Sequence, residues 1–163
     1  MEILKRALSL PVDSSEHRDI RDGLIICGRF MVARYYLSML TGKAFDYETV
    51  TEADYLNALR QFLVKNISPD SVEFCFEAEG EGHVSNVVLP VLMDLFCRRT
   101  GIEPLYKLTK QDRALVTLFN NPDWSDLQIR ETMKTTDKQM VRWSDFKLAR
   151  RIQSRYREAT ENS

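Results

Sequence analysis

The sequence predicts an all-α protein in which an N-terminal helical body, residues 1–103, is followed by a C-terminal helix-turn-helix unit, residues 104–163. Three observations carry this reading. Apolar residues recur at three- and four-residue spacing over most of the chain, which is the period of an amphipathic helix. Several of these stretches open on a Ser or Thr with an acid or Gln shortly after it, the local signature of a helix start. Near the C-terminus two such starts lie so close together that only a tight turn fits between them.

Residues 18–40 carry Ile20, Leu24, Phe30, Met31, Tyr35 and Leu37 at helical spacing, with Gly42 placed to end the segment, and predict one long first helix. A second helix is expected over residues 51–66, with Thr51 as N-cap, Glu52 and Asp54 in its first turn, and a stripe of Tyr55, Leu59, Phe62 and Leu63. Ser68-Pro69 favours a third helix over residues 70–78, because proline is well placed at a first helical position. The alternation of Val72, Phe74, Phe76 and Ala78 with Glu73, Cys75 and Glu77 keeps a strand open as the alternative.

Gly80 and Gly82 predict a break before Ser85, and residues 87–99 then read as a helix apolar nearly all round, which belongs in the middle of a core. Pro90 sits in its first turn or kinks it, Arg98 and Arg99 complement its C-terminal dipole, and Gly101 ends it. Residues 101–106, carrying Pro104, are the expected boundary between the two parts. A further helix over residues 109–119 has Thr109 as N-cap, Asp112 three residues on, and Leu115, Leu118 and Phe119 facing inward.

Composition bounds the function classes. At 44% hydrophobic, 29% charged and 10% aromatic residues the chain has the make-up of a folded globular protein. Its longest apolar run, near residues 87–97, is interrupted by Pro90 and Asp94 and falls short of the roughly 20 residues of a membrane span. The opening MEILKRALSLPVD has too short an apolar stretch for a signal-peptide core, so a cytoplasmic protein with no membrane association is expected. Cys27, Cys75 and Cys97 form no CxxC pair, and His17 and His83 are not clustered, which predicts unpaired thiols and no metal.

The net charge of −1 hides an asymmetry: residues 134–158 hold eight basic and three acidic side chains, leaving +5 there and −6 elsewhere. That distribution suits an end that faces nucleic acid. In the same region Ser125 and Gln128 form a capping box, with Trp124 placed to staple onto Ile129. The helix they start can run only to about Met133, because Thr136 and Gln139 form a second box. A second helix from Asp137 into Arg155 would complete a helix-turn-helix.

The stretch LTKQDRALVTLFNNPDWSDLQIRETMKTTDKQMVRWSDFKLARRI is similar to the fourth conserved region of bacterial sigma factors and related helix-turn-helix regulators, over about 45 of 163 residues. The likeness lies in the helix ending LFNN, the turn PDWSD, Leu127, Ile129 and Met133, the turn TTDKQ, Val141 as the inward residue of the second helix, and the closing LARR. Two positions depart from that pattern: Arg130 stands where alanine is usual, and Lys134 where glycine is usual in the turn. The resemblance implies binding to double-stranded DNA, with Lys138, Gln139 and Arg142 reading base edges and Thr135, Thr136 and Lys147 touching phosphates. Arg150, Arg151 and Arg155 would add charge.

Trp143 and Phe146, one turn apart, are expected to pack in the core against Trp124 or the N-terminal body; an exposed aromatic patch for a protein partner is the alternative. The cluster Glu73, Glu77, Glu79, Glu81 and His83 reads as a solvated acidic face, since no second cluster converges on it. With no GxGxxG, P-loop or GxSxG motif, no enzyme and no cofactor are expected. The competing function is a helical adaptor that binds a protein partner through its N-terminal body.

Overall fold

A computed structural model describes residues 8–11, 13–46, 48–67, 80–103 and 107–161, and its elements among them are all helices. In chain order they are α1 (Ser15–Cys27), α2 (Arg29–Thr41), α3 (Glu52–Asn66), α4 (Gly80–Thr100), α5 (Lys110–Asn120), α6 (Asp126–Met133), α7 (Asp137–Met140) and α8 (Ser144–Glu161). Residues 68–79, where helix and strand competed, lie outside the described residues, as do the side chains of Cys27, Cys75, Glu81 and His83.

The first correction is at Gly28. The single long helix expected over residues 18–40 is two helices, parted where Gly28 adopts φ 117, ψ 166, a conformation that a Cβ opposes. The Gly28 carbonyl then accepts from the N–H groups of Met31 and Val32, starting α2 afresh. Gly42, at φ 74, closes α2 by donating its N–H to the Ser38 carbonyl.

α3 begins as expected, with the Thr51 hydroxyl accepting from the Asp54 N–H, and buries Tyr55, Leu59 and Leu63 at four-residue intervals. The second correction concerns α4, which does not wait for residue 87 but starts at Gly80. Glycine in a helix costs only about 1 kcal/mol relative to alanine, and the extended helix buries Val84 as well as Val87 and Val88. Pro90 is therefore inside the helix, beyond its first turn.

α4 is the centre of the molecule, apolar around its circumference and packed against α2, α5 and α8. One buried cluster runs from Met31 through Val88, Leu92 and Phe96 to Leu118, Ile129, Phe146 and Ile152, so the core is continuous across the boundary expected near residue 104. Among the described residues no helix is long and apolar enough to cross a membrane.

Two buried polar side chains, Arg34 and His17, are held by hydrogen bonds. Arg34, 1% exposed, donates to the carbonyls of Phe45 (3.2 Å), Asp46 (3.4 Å) and Val50 (3.0 Å) and stacks 4.6 Å from the Tyr55 ring centre. It thereby anchors the loop between α2 and α3, whose carbonyls would otherwise lose water without replacement. His17 is also buried, with its ring nitrogens 3.0 and 3.3 Å from the Tyr35 hydroxyl.

Candidate functional site

The C-terminal segment is built by caps. The Thr109 hydroxyl accepts from the Asp112 N–H while the Asp112 carboxylate accepts from the Thr109 N–H, and Ser125 and Gln128 repeat the reciprocal pair at the start of α6. Trp124, half-buried, packs on the core cluster that contains Ile129. α6 ends at Lys134, which takes the left-handed conformation, φ 54, ψ 47, while the Thr135 N–H reaches the Arg130 carbonyl at 3.1 Å. That is the backbone closure glycine usually provides, performed by a lysine.

The Thr136 hydroxyl accepts from the Gln139 N–H, as the second capping signal predicts, and opens α7. The expected helix from Asp137 into Arg155 does not form: α7 is four residues long, and α8 begins at Ser144. Between them the N–H groups of Arg142 and Trp143 bond to carbonyls three residues back, those of Gln139 and Met140. Met140 and Phe146, on either side of the break, are both buried.

The new start is capped from another helix. Gln111 Oε1, on α5, accepts from the N–H groups of Asp145 (2.9 Å) and Phe146 (3.2 Å), which have no carbonyl within α8 to receive them. Phe146, Ala149, Ile152 and Gln153 then form the inward face of α8, and Trp143 stands edge-on to Phe146 at 6.1 Å. Core packing is thus the role of both aromatics. Val141, expected inward, is instead 61% exposed, and Met140 takes the inward place.

The residues singled out for DNA contact fall into two groups. Lys138 lies exposed on α7 and Arg142 lies exposed in the junction, so they do not share one helix face. Gln139 is exposed and its side-chain oxygen accepts from the Thr135 hydroxyl. Lys147, Arg151 and Arg155 are exposed at four-residue spacing along α8, and the Lys147 ammonium donates to the Val141 carbonyl at 3.2 Å.

Arg150 behaves differently. Its guanidinium binds Asp126 Oδ1 (2.6 Å), the Trp124 carbonyl (2.6 Å) and Gln153 Oε1 (2.8 Å), with the Phe146 ring 5.7 Å away. It is a brace that holds the start of α6 against α8. Gln153 and Arg157 extend the brace by donating to the Pro122 carbonyl, each at 2.8 Å. Arg130 also folds back, pairing with Asp137 across the Lys134 turn.

Two of these roles escaped the sequence. The Gln111 cap joins residues 34 and 35 apart, with no local signal. The Arg130–Asp137 pair spans seven residues and could have been read as opposite charges facing across a tight turn. Among the described residues no group of three or more His, Cys, Asp or Glu side chains could hold a metal ion. Half-buried Cys97 has its thiol pushed up by burial and by the nearby carboxylates of Asp94 and Glu103, the opposite of an activated nucleophile. No family model, curated protein or solved structure matches the chain.

Proposed function

We propose that the protein binds double-stranded DNA through a helix-turn-helix composed of α6, the Lys134 turn and α7, as a DNA-binding or transcription-associated regulator. The observation that carries the reading is the row of exposed cations Lys147, Arg151 and Arg155 on α8, together with exposed Lys138 on α7 and Arg142 in the junction after it. Four-residue spacing over eight residues lines up charges along about 12 Å of helix, and phosphate neutralisation by such rows releases counterions.

In this reading Lys138, Gln139 and Arg142 approach base edges from a one-turn helix and the junction after it. Thr135, Thr136, Lys147, Arg151 and Arg155 serve the backbone. Arg150 contributes its brace and only residual charge, since Asp126 compensates it.

The test is a binding titration against duplex DNA over a salt series. Affinity of the wild type falls steeply with salt. Arg142→Ala costs about 1 to 3 kcal/mol on the preferred sequence and blurs one base position. Arg155→Ala weakens all sequences alike and lowers the salt slope by about one. Absence of duplex binding at low salt overturns the reading.

The alternative, a helical adaptor that binds a protein partner through its N-terminal body, would bind with far less sensitivity to salt.

A further inference from the structure

Two large apolar side chains are exposed among the described residues, Leu127 at 50% and Val141 at 61%. Leu127 lies on α6. Val141 lies in the α7–α8 junction, three residues after exposed Lys138 and directly before exposed Arg142. Its own backbone is held: its N–H donates to the Asp137 carbonyl at 3.0 Å, and its carbonyl accepts from Lys147. A β-branched side chain with a stiff χ1 on a fixed backbone presents its methyl groups in one direction.

The occupant follows from size and charge. A protein interface needs about 800 Å² from each partner. Val141 lines a groove with Met140 and Phe146, but those two are buried, so the exposed apolar surface here is largely one valine and a small fraction of that area. Duplex DNA needs only one methyl-sized contact here. Its major-groove edges are hydrogen-bonding groups, apart from the C5-methyl of thymine, and the acceptors on neighbouring base edges suit the flanking cations.

We infer that Val141 is a specificity-determining residue that packs against a thymine methyl group in the major groove, between the base contacts of Lys138 and Arg142. The inference rests on the DNA-binding reading above and adds a sequence preference to it.

The experiment begins with selection of preferred duplexes from a random pool by the wild type. Each thymine of the selected site is then replaced in turn by deoxyuridine, which removes the methyl group alone. Binding of the wild type and of Val141→Ala is measured on every duplex, after thermal melting has shown that the two fold equally well.

One thymine is expected whose replacement weakens the wild type about fourfold, the worth of one buried methyl group, and leaves Val141→Ala unaffected. The salt slopes of the two proteins stay the same, because no phosphate contact has changed. A selected site without thymine, or equal responses of both proteins to every deoxyuridine, overturns the inference while DNA binding stands. Failure of the wild type to bind any duplex at low salt removes the DNA-binding reading and this inference with it.

Discussion

The side-chain oxygen of Gln111 accepts two backbone hydrogen bonds from the first turn of a helix more than thirty residues away, from Asp145 at 2.9 Å and from Phe146 at 3.2 Å. It does for α8 what Ser125 does for α6, but from a different helix. Gln111→Ala should therefore cost about 1 to 2 kcal/mol, as loss of an N-cap does. Denaturant unfolding of the variant measures this, and an unchanged midpoint would show that water caps α8 equally well.

Lys134 holds a left-handed conformation that costs a residue with a Cβ about 1 to 2 kcal/mol. Lys134→Gly relieves it, less the greater freedom of glycine in the unfolded chain, so a gain of up to about 1 kcal/mol is expected. Lys134→Val should lose stability, because a β-branched residue tolerates φ of 54 least well. Melting temperatures that rank valine above glycine would rule out the left-handed turn.

Arg150 and Arg151 are chain neighbours with different work. Arg150 braces Trp124, Asp126 and Gln153, so Arg150→Ala should lose about 2 kcal/mol of stability. Arg151 is exposed, and Arg151→Ala should stay within about 0.5 kcal/mol of the wild type; under the proposed function it also weakens duplex binding. Equal losses of stability in the two variants would contradict the brace.

Asp145 sits half-buried at the start of α8, where burial raises its carboxyl pKa; Arg29 opposes the rise and Asp112 adds to it. A carboxyl raised in the folded state disfavours its own charged form there. The penalty is fully developed above the folded pKa, shrinks as pH falls through it, and is gone below the ordinary value of 3.8. Asp145→Asn should accordingly be the more stable protein at neutral pH, with its advantage fading in the acid range. Unfolding midpoints at pH 7 and pH 4 check the sign, and an advantage that grows on acidification would reverse the assignment.

What was legible in the sequence was what is local. Thr51, Thr109, Ser125 and Thr136 all cap helices at the positions read from the chain, because a cap is a contract between residues three apart. The left-handed demand on Lys134 was legible for the same reason. The misreadings share a different cause. Gly28 splits one periodic stretch through a backbone angle that periodicity does not encode, and Gly80 stays helical because the burial of α4 outweighs a glycine's small penalty. The junction at residues 141–143 is followed by a helix start that Gln111 caps from α5, a contact of the assembled core. The inward place shifts from Val141 to Met140 at the same junction.

The helix α4 touches elements on both sides of residue 104, and α8 rests on it as well as on α5. The cationic row on α8 is therefore mounted on the same beam that carries α2. The row is tied to the N-terminal helices through packed side chains as well as through the connecting chain.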